Sequence, residues 1–86
     1  MSDALMNEMR TRLSVLNPVS VHITDDSHHH AGHAGAASGG GHYQIQIVSE
    51  AFRNQPSLAR HRMVYAALAP LMQQRIHALV INASAP

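Results

Sequence analysis

Histidine is the most frequent side chain in this sequence of 86 residues that could bind a metal or transfer a proton near neutral pH, because it occurs eight times while cysteine is absent. Five of the eight lie between His28 and His42, in the stretch DDSHHHAGHAGAASGGG and the residue that follows it. Neutral imidazole is a good ligand for iron, zinc and nickel, whereas a protonated histidine must lose its extra proton before it binds. A chain without thiols can offer no thiolate to a transition metal, which makes its histidines the main candidates.

Catalytic patterns are missing from the sequence. No serine or threonine stands in a nucleophile motif, the five acidic residues form no obvious acid–base pair, and there is no phosphate-binding P-loop. Asp25 and Asp26 beside the histidines could contribute to a hydrolytic metal site, but no other residue supports one. We therefore expect a binding protein that is not an enzyme and has no small-molecule substrate.

A second group of candidates is basic. All six basic residues are arginines and the net charge is only +1, whereas phosphate neutralisation supplies most of the affinity of nucleic-acid binders. Binding to DNA would therefore need a local cluster, for which Arg53, Arg60 and Arg62 are the candidates. The alternative for the triplet Arg60-His61-Arg62 is structural, with Arg60 and His61 packing along the edge of the core.

The periodicity of apolar residues predicts the elements that position these side chains. An N-terminal helix buries one stripe, Asn17-Pro18 ends it, and a period-2 strand follows over residues 19–24. A second strand over 42–49 places Tyr43, Ile45 and Ile47 on one face. The helical stripe consists of Leu5, Met9, Leu13 and Leu16.

The C-terminal half predicts two helices and a strand. Apolar spacing favours a helix from about Ser57 that breaks near Ala69, and Pro70 then starts a short helix to about Arg75. The final segment, Ile76 to Asn82, is mostly apolar and is consistent with a strand buried on both sides.

The element order predicts an α/β (α+β) fold of the α-β-β-α-α-β type, in which a three-stranded mixed sheet has helices on one face. Strands one and two pair antiparallel, and the helical connection favours parallel pairing of strands two and three. We expect one domain over residues 1–86, a long loop over 25–41 and a short tail over 83–86. The start of the chain has no signal-peptide pattern and no stretch is apolar enough for a membrane span, so we expect a cytoplasmic protein.

Several of these segments resemble the BolA family. The resemblance is carried by RHRMVYAALAPLMQQRIHALVI (Arg60 to Ile81), by His42-Tyr43, by IVS (Ile47 to Ser49), by Phe52, and by DDS-x-x-H from Asp25. It implies a KH-like fold, which agrees with the element order. The G-x-x-G of Gly32 to Gly35 lies between two strands instead of two helices, so it does not predict the nucleic-acid clamp of KH domains.

The resemblance further implies a partner and a cofactor. BolA proteins form heterodimers with monothiol glutaredoxins around a [2Fe-2S] cluster, to which the glutaredoxin brings a cysteine and a bound glutathione. Two positions match the family's histidine ligands: His77 in IHAL, and a loop position for which His30 is the best match. His28, His29 and His33 are alternates for the loop ligand. The isolated protein is expected to hold no cofactor.

Other interpretations remain open. His77 could be a structural histidine at a strand end, and the loop histidines could be solvated or could bind nickel or zinc as a metal buffer. Some BolA proteins are described as transcriptional regulators of stress response and morphology, which makes DNA binding through the arginines the alternative function. The leading hypothesis is iron–sulfur trafficking or iron and redox sensing with a monothiol glutaredoxin.

Overall fold

The computed structural model describes residues 2–26 and 41–86, which form a three-stranded sheet with helices packed on one side. α1 spans Ser2–Leu13 and continues into a 3-10 turn, Ser14–Leu16; β1 spans Ser20–Asp25 and β2 spans Gly41–Val48. After a second 3-10 turn, Glu50–Phe52, come α2 at Ser57–Ala67, α3 at Ala69–Gln74 and β3 at Ile76–Ser84. The predicted order of elements is confirmed.

The sheet has the order β1-β2-β3, so β2 is its central strand. β1 pairs with β2 antiparallel and β2 pairs with β3 parallel, as the connections predicted. β1 and β2 are each shifted by one residue from the predicted ranges 19–24 and 42–49, so that Asp25 and Gly41 belong to these strands and not to the loop. The C-terminal tail is shorter than predicted, because β3 continues through residues 83 and 84.

One face of the sheet and the apolar faces of the helices form the core. The predicted stripe of α1 is buried, with Met9 and Leu13 fully so, and Leu16 packs at the margin. Alternation along β2 buries Tyr43, Ile45 and Ile47 and exposes the glutamines between them. The buried hydrophobic side chains of the described residues are Leu5, Met9, Leu13, Ile23, Tyr43, Ile45, Ile47, Phe52, Val64, Leu68, Leu71 and Ile76.

The expectation that the last strand is buried on both sides is wrong. β3 lies at an edge of the sheet and alternates like β2, so that Leu79 and Ile81 are half-buried while Val80 is 62% exposed. The helices that the structure describes lie on one face of the sheet, and the apolar run of residues 76–81 carries an exposed aliphatic side chain on the other. Arg60 contacts the outer edge of β3, where its Nη1 donates a hydrogen bond to the Ala83 carbonyl (3.0 Å).

The helix ends follow the residues that break them. Asn17 adopts the left-handed conformation (φ 49°) that terminates the first 3-10 turn, a conformation that asparagine tolerates better than most residues. The break between α2 and α3 falls at Leu68, one residue before the predicted position, and Pro70 occupies the first turn of α3. There a missing N–H costs nothing, since the first amides of a helix have no intrahelical partner.

Candidate functional site

The starts of β2 and β3 meet at one end of the sheet. Gly41 pairs with Ile76 and donates its N–H to the Arg75 carbonyl (3.0 Å), while His42 pairs with Ala78. The register therefore shifts by one residue, and His77 is the extra residue of a β-bulge. Bulges interrupt regular pairing and are over-represented next to functional sites. No pattern in the sequence predicted this shift.

The end of β1 reaches the same end of the sheet. Asp25 pairs with Tyr43, and the Asp26 N–H donates to the His42 carbonyl (2.7 Å). The Asp26 carboxylate accepts a hydrogen bond from the Gln44 side-chain amide (2.5 Å). The described residues on either side of the histidine-rich segment, Asp26 and Gly41, thus both lie at this end of the sheet, and Gly41 is next to the first residues of β3.

A glycine–tyrosine contact fixes this end of β2. The buried Tyr43 ring lies over Gly41 so closely that a Cβ on Gly41 would be 2.3 Å from Tyr43 Cε2. Any larger residue at position 41 would therefore displace a core side chain. Gly41 serves close packing beside the bulge, a role that the interpretation of it as a loop residue missed.

The histidines predicted as ligands lie mostly outside the described residues. This applies to His30 and its alternates His28, His29 and His33, and to the side chain of His77, whose backbone alone is placed, in β3. Within residues 2–26 and 41–86, no group of three or more histidine, aspartate or glutamate side chains is arranged to hold a metal ion.

Of the three candidate arginines, Arg53 is engaged with a carboxylate. Its Nε and Nη2 donate to the two oxygens of Glu50 (2.8 and 2.7 Å), and Nη2 also donates to the Pro86 carbonyl (3.1 Å). The hydrogen bond from Arg53, reinforced by its charge, lowers the pKa of Glu50 below its ordinary value. Both side chains are exposed, so the pair neutralises charge at the surface.

Arg60 and Arg62 differ although they stand two residues apart. The half-buried Arg60 donates from Nε to the Gln55 carbonyl (2.8 Å) and from Nη1 to the Ala83 carbonyl, so it ties α2 to the preceding turn and to β3. Arg62 is exposed and makes no hydrogen bond or ion pair with any residue that the structure describes. The structure therefore does not bring the three guanidinium groups together as one free cluster.

Ser49 is a structural residue whose role the sequence did not indicate. It is fully buried after β2, where its hydroxyl donates to the Leu16 carbonyl (2.5 Å) and accepts from the Ala51 N–H (3.1 Å). Its own N–H donates to the Ser84 carbonyl at the end of β3 (2.9 Å). Such contacts span distant parts of the chain, and only the family-like IVS motif hinted that this serine matters.

Known proteins share both the fold and the sequence. The α-β-β-α-α-β arrangement is that of a KH-like domain, and the BolA domain of SufE1 from Arabidopsis thaliana matches it with a TM-score of 0.79 and 35% identity, over 93% of this chain and 90% of that one. The family model described as BolA-like protein matches residues 13–86. The chain belongs to the BolA-like protein family.

Two curated relatives show the range of proteins that contain this domain. SufE-like protein 1, chloroplastic/mitochondrial, of Arabidopsis thaliana is 37% identical over 76 residues, which are 83% of this chain and 20% of that protein. The DNA-binding transcriptional regulator BolA of Escherichia coli is 33% identical over 69 residues, 80% of this chain and 63% of that protein. The chain thus spans less than two thirds of either relative. No helix among the described residues is long and apolar enough to cross a membrane.

Proposed function

We propose that this chain is a non-catalytic interaction protein that pairs with a monothiol glutaredoxin and shares a [2Fe-2S] cluster with it, in iron–sulfur trafficking or in sensing of iron and redox state. His77 would be one ligand and a loop histidine, His30 foremost, the other. The observation that carries the proposal is the pairing of Gly41 with Ile76, which joins the end of the histidine-rich segment to the residue before His77.

The donor set of the chain fits a shared cluster better than a private one. With no cysteine, the chain can offer imidazole to iron, and the thiolates would have to come from the partner. When two histidines replace two thiolates on one iron, the reduction potential of a [2Fe-2S] cluster rises. The lack of a three-ligand group among the described residues is compatible with a site completed by another protein.

In this proposal one donor of the chain is held by the sheet. His77 follows Ile76, which is 5% exposed and anchored in the core, so the backbone at the bulge is fixed by packing. The other donor, His30, belongs to the glycine- and alanine-rich segment outside the described residues. Both imidazoles must be neutral to bind iron, which makes occupancy fall as protons compete for them.

The test is reconstitution with a monothiol glutaredoxin, glutathione, iron and sulfide. We expect a visible circular dichroism spectrum that differs from that of the glutaredoxin alone and is lost in His77→Ala, with size-exclusion chromatography reporting the heterodimer. His22→Ala is the matched control, because His22 is exposed on β1, away from the bulge. Single alanine variants at His28, His29, His30 and His33 identify the loop ligand. An unchanged spectrum and heterodimer in His77→Ala would refute the proposal.

DNA binding is the second candidate, favoured by the name of the Escherichia coli relative and by the exposed Arg62. Its weakness is that Arg53 and Arg60 already have partners within the chain. If DNA is bound, affinity for a duplex should fall with salt, and Arg62→Ala should reduce the salt slope by about one. Arg10→Ala on α1 is the control, and equal slopes for both variants would exclude a role for Arg62.

A further inference from the structure

The surface of α2 that faces away from the core carries three large side chains in a row. Leu58, Arg62 and Tyr65 are spaced four and three residues apart and so lie on one face of the helix. Leu58 is 61% exposed and Tyr65 is 41% exposed, whereas Val64 and Leu68 on the opposite face are fully buried. We call Leu58, Arg62 and Tyr65 the α2 stripe.

The α2 stripe belongs to a part of the sequence with an excess of positive charge. Residues 51–86 contain four of the six arginines and none of the five acidic residues, while the first 50 residues carry an excess of acids. Within the described chain, Arg62 has no carboxylate or hydrogen-bond acceptor of its own. A carboxylate of a partner could therefore pair with the Arg62 guanidinium, which lies between the exposed side chains of Leu58 and Tyr65.

The acidic side chains that the structure describes are poorly suited to supply that carboxylate from a second copy of this chain. Glu8 is paired with Arg12 (3.0 Å) and Glu50 with Arg53 (2.7 Å), and Asp26 accepts from Gln44. Each of these acids would have to give up a contact within its own chain before it could pair with Arg62. The acidic side chain is more readily provided by a different protein.

The composition of the stripe also favours protein over nucleic acid. Affinity for a phosphate backbone grows with the number of cations offered, and only Arg62 of the triplet's two arginines lacks an internal partner. Tyrosine and arginine are enriched where protein partners bind most tightly, because both add large contact area together with a polar group. Leu58 extends the row with an aliphatic surface that phosphates would leave exposed.

We propose that the α2 stripe is a docking surface for an acidic amphipathic segment of a partner protein. A carboxylate of the partner pairs with Arg62, and its apolar side chains cover Leu58 and Tyr65. This inference goes beyond the shared cluster proposed above, since the stripe lies on a helix and supplies no metal ligand. It therefore stands or fails independently of that proposal.

The experiment uses the full chain, labelled with ¹⁵N, and a synthetic amphipathic helical peptide with leucines on one face and glutamates beside them. We expect saturable amide shifts centred on α2, and affinity that falls with salt. Arg62→Glu and Tyr65→Ala should each weaken binding roughly tenfold, as for residues at the centre of an interface. A peptide with lysines in place of the glutamates should bind Arg62→Glu better than the wild type.

Two variants control for charge and for exposed apolar surface. Arg10→Glu makes the same charge change on α1, and Val15→Ala removes an apolar side chain that is 71% exposed outside the stripe; neither should alter binding. Thermal unfolding verifies that all variants fold. The proposal is overturned if the peptide does not bind, if the stripe variants bind as the controls do, or if an oligonucleotide or a second copy of the chain occupies the stripe more tightly than the peptide.

Discussion

Ser49 is a small polar side chain buried where three elements meet. Its hydroxyl and amide contact the end of the first 3-10 turn, the start of the second and the end of β3. A buried hydroxyl that satisfies two backbone groups leaves both without a partner when it is removed, which makes its contribution larger than that of an exposed hydrogen bond.

We therefore predict that Ser49→Ala lowers the free energy of unfolding by about 1–3 kcal/mol, measured by urea denaturation. Ser14→Ala is the matched control, because Ser14 also donates to a backbone carbonyl (Thr11, 2.5 Å) but is exposed; its effect should stay within about 0.5 kcal/mol. Equal losses for the two variants would contradict the role assigned to burial.

The Glu50–Arg53 pair gives a prediction for pH. In an NMR titration the Glu50 carboxyl should lose its proton at a lower pH than an ordinary glutamate, because Arg53 hydrogen-bonds to and attracts the carboxylate. Arg53→Gln should raise that pKa towards the ordinary value. The stabilisation by the pair is complete above the pKa of the unfolded chain and disappears as the pH falls through the lowered pKa of the folded state. A midpoint that Arg53→Gln leaves unchanged would show that the pair is not formed in solution.

At the scale of elements, the start of β2 and the bulge of β3 depend on each other. The N–H of Gly41 donates a hydrogen bond to the Arg75 carbonyl, just before the bulge of β3. The Tyr43 ring packs over Gly41. The spacing of buried and exposed residues along β2 predicted the strand and its inward face correctly. It could not predict the bulge, because register depends on how two distant segments fit together.

Gly41→Ala should destabilise the protein by about 1–3 kcal/mol, since the added Cβ would clash with the buried ring of Tyr43. The amide resonances of residues 76–78 should shift with it. The check is a double-mutant cycle with Tyr43→Leu, whose smaller side chain removes the clash. If the two changes are additive, the contact does not constrain the bulge.

α2 shows how far helical periodicity reaches. The pattern of Val64 and Leu68 predicted which face enters the core. The break before Pro70 lies at Leu68, one residue from its predicted position. Periodicity could not predict that Arg60 is hydrogen-bonded within the chain while Arg62 is exposed, because the acceptors of Arg60 include a carbonyl 23 positions away in β3. For the candidate site, the same limit applies to the ligand assignments, which stay predictions from the family resemblance.

For the whole molecule, stability is concentrated on one face of the sheet. The helices among residues 2–26 and 41–86 lie on that face, so a side chain on β2 or β3 contributes according to the direction in which it points. An apolar run such as residues 76–81 does not reveal by itself whether one or both faces are covered, which is why the burial of β3 was overestimated. Strand order, and hence edge position, follows from packing of the complete chain.

Two substitutions test this distribution. Ile47→Ala should lower the free energy of unfolding by about 2–5 kcal/mol, because Ile47 is fully buried in the central strand. Val80→Ala should change it by no more than about 0.5 kcal/mol, since Val80 already faces solvent. A large loss for Val80→Ala, measured in the same denaturation series, would mean that the outer face of the sheet is covered in solution.

The contact between Arg60 and the Ala83 carbonyl bears on solubility. β3 borders the sheet with nine residues that include no proline, aspartate, glutamate, lysine or arginine. Bare strand edges of this kind are templates to which extended segments of other molecules add, and natural sheets commonly guard them with a cation. Here the cation comes from a helix: the guanidinium of Arg60 takes one of the backbone acceptors at that border and places a positive charge beside it, which discourages fibril-like stacking of the chain.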